Sequence, residues 1–127
     1  TGGNVGTSSW FVSWKILKCT KVVLIGMNHG WNEDTPMDII TKHGVDFAQS
    51  YDKSSPSFDR LFPKIYNPEL KEYCILDPIF QYYREALLEF ILRSPNDIET
   101  INATEGGSLF GKRVKYTTFE NFLQKYI

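Results

Sequence analysis

Apolar and polar positions along the chain follow two periods, and the switches between them mark the elements. Trp10, Phe11, Trp14 and Leu17 recur at three- and four-residue spacing, which predicts a helix over residues 7–18 capped by Thr7 or Ser8. Cys19 and Thr20 break that period. Val22, Val23, Leu24 and Ile25 then follow without a polar interruption, which predicts a strand over residues 21–26 buried on both faces, as in a parallel sheet covered by helices. A short helix is expected over residues 38–43. Residues 44–59 hold no sustained period and read as a long loop, either a lid or a disordered segment.

Residues 62–66 and 72–76 flank the turn signal Asn67-Pro68-Glu69 and predict a hairpin. Asp77-Pro78 places a cap before a proline at the first helical position, and Ile79, Phe80, Tyr83, Leu87, Phe90 and Ile91 carry an amphipathic helix to Arg93. Residues 99–102 predict a second parallel strand, with a glycine-rich exit loop over 103–111. A short strand at 113–116 leads to Thr117, which with Glu120 forms a capping box for a last helix through Tyr126. Loop, helix, turn and buried strand make half of a βαβ unit, so the expected class is α/β. The strand ahead of the first loop is expected upstream of Thr1, leaving the domain incomplete at its N-terminus.

Composition narrows the picture. A chain of 127 residues, 42% hydrophobic and 15% aromatic, has the material for one domain and its core. A net charge of −1 supplies no basic face for nucleic acid, and Lys112, Arg113 and Lys115 read as solvated surface. Cys19 and Cys74 make neither a disulfide framework nor a zinc site; Cys19 reads as a small buried hydrophobe. A cytoplasmic setting fits best. No run approaches the ~20 apolar residues of a membrane span. Oligomeric state is left open.

Three polar loops can carry chemistry. In Thr1-Gly2-Gly3-Asn4-Val5-Gly6-Thr7-Ser8-Ser9, three glycines allow close backbone approach, and the following helix offers free N–H groups to a phosphate; an ordinary tight connection has the same pattern. The second loop holds Asn28, His29, Asn32, Glu33 and Asp34 beyond a strand's carboxyl end. There a carboxylate can bind magnesium and a histidine can act as base, or the stretch is a polar surface turn. The third, Asn102-Ala103-Thr104-Glu105-Gly106-Gly107-Ser108, offers groups for a ribose or a base, or is a plain strand-to-loop turn. The Lys-Ser/Thr pair of a Walker loop is missing, and GGNVG is not GxGxxG.

The first loop, the helix after it, Val22-Val23-Leu24-Ile25-Gly26-Met27, and Ile101-Asn102-Ala103-Thr104-Glu105-Gly106-Gly107 resemble, in that order, the MptE-like domain family, named for the archaeal 6-hydroxymethylpterin diphosphokinase. The resemblance spans nearly all of residues 1–127 and leaves about 32–63 unmatched. It implies a single, partial Rossmann-like α/β domain with a mostly parallel sheet and flanking helices that binds a nucleotide. Some relatives transfer diphosphate from ATP to a pterin, using magnesium. Others resemble the motility-associated factors that attach nonulosonic sugars to flagellin, and a more distant similarity runs to bacterial sialyltransferases that use a CMP-sugar.

On that analogy Gly2, Gly3, Asn4, Gly6 and Thr7 hold phosphates. Asn102, Thr104 and Glu105 line the nucleotide or acceptor side, and Gly106 and Gly107 admit backbone beside it. Asn28 stands where relatives often carry an acid, with Glu33 or Asp34 as substitute metal ligands, and His29 or Glu105 is the candidate base. The expected function is a nucleotide-dependent transferase resembling the diphosphokinase. The alternatives are a glycosyltransferase using a nucleotide-activated nonulosonic or sialic-type sugar, and a non-catalytic nucleotide-binding or scaffold module. Expected partners are a nucleotide or nucleotide-sugar and a pterin or glycan acceptor.

Overall fold

The structure, a computed structural model, describes residues 2–42 and 56–127. The elements in chain order are α1 (Val5–Phe11), β1 (Lys21–Leu24), β2 (Trp31–Asn32), α2 (Met37–Lys42), α3 (Pro56–Leu61), β3 (Lys64–Asn67), β4 (Glu72–Ile75), α4 (Pro78–Arg93), β5 (Glu99–Asn102), β6 (Val114–Tyr116) and α5 (Phe119–Tyr126). Most of the loop expected over residues 44–59 lies outside the described residues, as does His43.

The strands form two sheets. β1, β5 and β6 make a parallel sheet in that order, with Lys21 opposite Glu99 and Leu24 opposite Asn102. The expected hairpin, β3 and β4, recruits β2 into a separate antiparallel sheet of order β2-β4-β3. Trp31 and Asn32 were expected in a loop, and two residues are too few to print an alternating pattern.

The first helix starts earlier than Thr7 or Ser8. Asn4 is the cap: its backbone is extended and its Oδ1 accepts from the Thr7 N–H at 2.9 Å. Thr7 is buried inside the first turn, its Oγ1 accepting from Asn4 Nδ2 at 3.1 Å. Nor does the α-helix run to Lys18. It widens into a π-helical turn at Val12–Ile16, where Leu17 N–H reaches back five residues to Val12 O, and Lys18 at φ 62 ends it. Cys19 beyond it is exposed, in the turn into β1, and is not the buried hydrophobe expected.

β1 buries one face. Val22 and Leu24 are buried, Val23 is half-buried and Ile25 is exposed, so the strand stops at Leu24 and is not enclosed on both sides. The covered face carries the main core of Trp10, Val22, Leu24, Leu87, Ile91 and Leu109. Both α1 and α4 lie on it, since Phe11 packs on Phe90 at 4.9 Å. Trp10 also donates its indole N–H to Thr100 Oγ1 at 2.9 Å, which satisfies two buried polar groups at the centre of the sheet. A second core of Ile40, Phe58, Phe62 and Ile75 lies under the antiparallel sheet.

Two further expectations change. Arg113 is not solvated surface: its guanidinium donates to the carbonyls of Ile91, Ser94, Pro95 and Ile98 and closes the C-terminal end of α4. The last helix is capped by Thr118, whose Oγ1 accepts from Asn121 N–H at 3.1 Å, one residue beyond the expected Thr117. Among the described residues no helix is long and apolar enough to cross a membrane.

Candidate functional site

The loops after β1 and β5 leave the parallel sheet at the same end and lock together. Gly107, at φ 84, lies so close to Asn28 that an added Cβ would overlap the Asn28 carbonyl. That contact brings the Ser108 N–H to Asn28 O at 2.8 Å and the Ser108 hydroxyl to His29 O at 2.6 Å. Gly106 is next to the Asn28 side chain, its Cβ position 2.9 Å from Asn28 Nδ2. Gly107 is therefore required by the close approach of a neighbouring backbone, whatever ligand binds, whereas at Gly106 the Asn28 side chain can swing aside.

Three expected ligand groups are spent on internal bonds, two of them on this lock. Asn102 is buried; its Nδ2 donates to Leu109 O at 2.7 Å and its Oδ1 accepts from Thr104 N–H at 3.0 Å. The Thr104 hydroxyl accepts from Met27 N–H at 3.2 Å and donates to Leu24 O at 3.3 Å, tying the two exit loops. Thr7 is enclosed in the first turn.

Asn28, Glu33, Asp34, Glu105 and Gly106, expected from different loops, do meet. With Asn32, Glu72 and Tyr73 they line a cavity of about 450 Å³. Its lining carries four carboxylates and no cation. Glu105, at φ 60, is exposed and accepts from Phe119 N–H at 3.1 Å, at the start of α5. Glu33 pairs with Lys64 at 3.0 Å across the rim, a half-exposed contact that solvent screens. The oxygen donors are of the kind magnesium takes, yet among the described residues no three His, Cys, Asp or Glu side chains are grouped to hold a metal ion.

His29 points elsewhere. At φ 46 its ring is buried, stacked on Phe80 at 6.1 Å and tilted against Tyr83 at 5.7 Å, and its Nδ1 is buried without a hydrogen-bond partner. Burial holds its pKa below the ordinary 6.5. Cys74, packed against Gly30, is pushed up to about 11, chiefly by burial, and stays a thiol.

The glycine turn flanks the same sheet end through one contact. A Cβ on Gly6 would meet Met27 Cε at 2.7 Å, which sets the start of α1 over the exit of β1. Gly2 and Gly3 take φ 73 and 76, and Gly3 lies beside Tyr82 and Tyr83. Gly3 and Asn4 open onto a separate groove along the outer face of α1.

Sequence reasoning missed the residues that hold the lock from outside. Asn67 donates to Gly107 O at 3.0 Å while its Oδ1 accepts from Glu69 and Leu70 N–H. Arg84 Nε donates to Ser108 O at 2.8 Å from α4, and burial lowers its pKa. The Asn67-Pro68 turn signal was the one available hint for Asn67. Glu72 and Tyr73 reach the cavity only through the pairing of β4 with β2, which no local pattern announces. Comparison of the chain with family models, with curated proteins and with solved structures finds no match.

Proposed function

We propose that this chain is the nucleotide-binding part of a Rossmann-like transferase domain of the MptE-like kind, moving diphosphate from ATP to a pterin-like acceptor. One observation carries the reading: the interlocked loops after β1 and β5 wall a polar cavity at the carboxyl end of a parallel sheet, where open α/β sheets take their ligands. Charge then divides the labour. A pocket of carboxylates repels phosphate, so the phosphates go to the glycine turn, where Gly3 leaves room, Gly2 and Gly6 pack on Thr7 and Met27, and Asn4 and Thr7 hold the first turn of α1 in shape. Glu33, Asp34, Glu105 and the Asn28 amide take the N–H and O–H groups of the acceptor or ribose.

Catalysis in this reading rests on positioning and charge neutralisation, with exposed Glu105 as the better-placed base, since His29 is buried among rings. Magnesium enters as the companion ion of the nucleotide's phosphates, and no step is routed through it. The same layout serves a glycosyltransferase, with sugar hydroxyls in the acidic cavity. A second reading, binding without catalysis, is favoured by the amide at Asn28 and by the internal use of Asn102 and Thr104.

The test is isothermal titration of the full-length protein with ATP, CTP, CMP and GDP, with and without magnesium. One nucleotide is expected to saturate. Gly3→Val is expected to weaken it at least ~10-fold with an unchanged circular dichroism spectrum. Binding by none of the four ends both readings.

A further inference from the structure

Charge is shared unevenly between the two ends of the parallel sheet. The carboxyl end faces the acidic cavity of Glu33, Asp34, Glu72 and Glu105. The amino end holds lysines. Lys21 opens β1 opposite Glu99, which opens β5, and Lys115 lies beside them on β6. Glu99 is the acid they share: Lys115 bonds it, Lys21 Nζ stands 3.8 Å away, and with Lys125 of α5 they hold its carboxyl below the ordinary range. Lys21 and Lys125 also flank the Tyr126 ring, at 6.0 and 5.2 Å, which places the end of α5 on the same patch. At the neighbouring end of α4, Asp97 is offset by Arg113, whose guanidinium bonds the carbonyls of Pro95 and Ile98. The cluster is therefore positive in a chain whose net charge is −1.

The turn from α1 into β1 extends this patch. Lys15, Ile16, Leu17 and Lys18 are all exposed, on a π-helical turn that rests against β1. Ile16 and Leu17 are 67% and 65% exposed, and neither joins the core around Trp10. Among the described residues Lys15 and Lys18 have no carboxylate partner. Two aliphatic side chains are thus held out to solvent between cations.

That combination selects a partner. Phosphates attract lysines whether they belong to a nucleic acid or to a lipid, but a phosphate backbone gives nothing to Ile16 and Leu17. A bilayer rewards both groups: aliphatic side chains enter the acyl boundary while lysines reach the headgroups. We propose that the amino end of the parallel sheet docks on an anionic lipid bilayer, with Ile16 and Leu17 entering the interface and the surrounding lysines on the headgroups. Docked this way, the acidic cavity at the other end of the sheet faces away from the negative membrane surface. The docking stands independently of the nucleotide reading.

Co-sedimentation of the full-length protein with vesicles tests it, comparing pure phosphatidylcholine with phosphatidylcholine that holds about one-third phosphatidylserine. Binding is expected to the anionic vesicles alone and is expected to weaken at high salt. Lys18→Asn is expected to weaken it about fivefold. Lys71→Asn is the matched control, the same change at φ 55 against φ 62, in the turn between β3 and β4, and is expected to change nothing. Ile16→Ser with Leu17→Ser is expected to weaken binding at least ~10-fold, with an unchanged circular dichroism spectrum because both side chains lie outside the core. Equal binding to the two kinds of vesicle overturns the proposal, and so do equal losses in Lys18→Asn and Lys71→Asn, which would make net charge the cause. Wild-type vesicle binding by the Ile16, Leu17 double variant, displaced by a short DNA duplex, overturns it as well and marks a general polyanion surface.

Discussion

Gly107→Ala is the sharpest probe of the lock between the two exit loops. Alanine at φ 84 costs about 1–2 kcal/mol in left-handed strain alone. The added methyl would also occupy the place of the Asn28 carbonyl, so the loop must back away. Backing away weakens the Ser108 N–H bond to Asn28 O and the Asn67 bond to Gly107 O, each worth about 1 kcal/mol. The expected loss is about 3–4 kcal/mol, read as a lowered urea midpoint at constant slope. Gly26→Ala is the control: its φ is 72, but nothing lies within 4 Å of the new methyl. It is expected to lose only the strain, about 1–2 kcal/mol. If Gly107→Ala costs no more than Gly26→Ala, the close approach of the loops contributes nothing and the account of the lock is wrong.

Other expectations follow from single contacts. Arg113→Lys is expected to lose about 2 kcal/mol, because one ammonium cannot serve carbonyls on both sides of the α4 end as the guanidinium fork does; wild-type stability in that variant refutes it. Asn4→Ala is expected to lose about 1 kcal/mol while Asn4→Asp keeps most of it, since Oδ1 is the cap; equal losses would move the cap elsewhere. His29 is buried neutral with a lowered pKa, so the unfolded chain binds more protons once pH falls below 6.5. Stability is expected to hold above that value and to decline as pH drops through it toward the folded pKa, and His29→Phe should flatten that part of the melting-temperature profile. An unchanged profile in His29→Phe would show that other groups set the decline.

Local signals in the sequence were read correctly wherever one residue type does one job. Asp77-Pro78 announces the start of α4, and Asp77 Oδ1 does accept from Phe80 N–H at 2.8 Å. Residues 99–102 form the strand expected of them. Failures came where two neighbouring residues compete for one role or where distant chain decided. Thr7 looks like a cap, but it is buried within the first turn and its N–H is capped by Asn4. Ile25 continues an apolar run, yet among the described residues it is exposed. The cavity was half legible: Asn28, Glu33, Asp34, Glu105 and Gly106 were named, whereas Glu72 and Tyr73 arrive through a two-residue strand pairing. The glycines of the third loop were rightly seen as allowing close approach, but the approaching group is Asn28 itself.

The two sheets keep separate apolar clusters, one of Trp10, Val22, Leu24, Leu87, Ile91 and Leu109, the other of Ile40, Phe58, Phe62 and Ile75. Side-chain bonds cross between them: Trp31 Nε1–H to Asp77 Oδ2 at 2.8 Å, Asn67 to Gly107 O, and Gln81 to Leu61 O at 3.2 Å. The acidic cavity lies on this seam, with Asn28, Glu105 and Gly106 on one bank and Asn32, Glu72 and Tyr73 on the other. Trp31 of β2 also packs on Phe80 of α4, with ring centroids 5.5 Å apart, so the two banks are held by these bonds and by ring contact outside either core. The antiparallel half is expected to open as a separate unit, read as faster amide exchange in β3 and β4 than in β1 and β5; equal exchange in the two sheets refutes it.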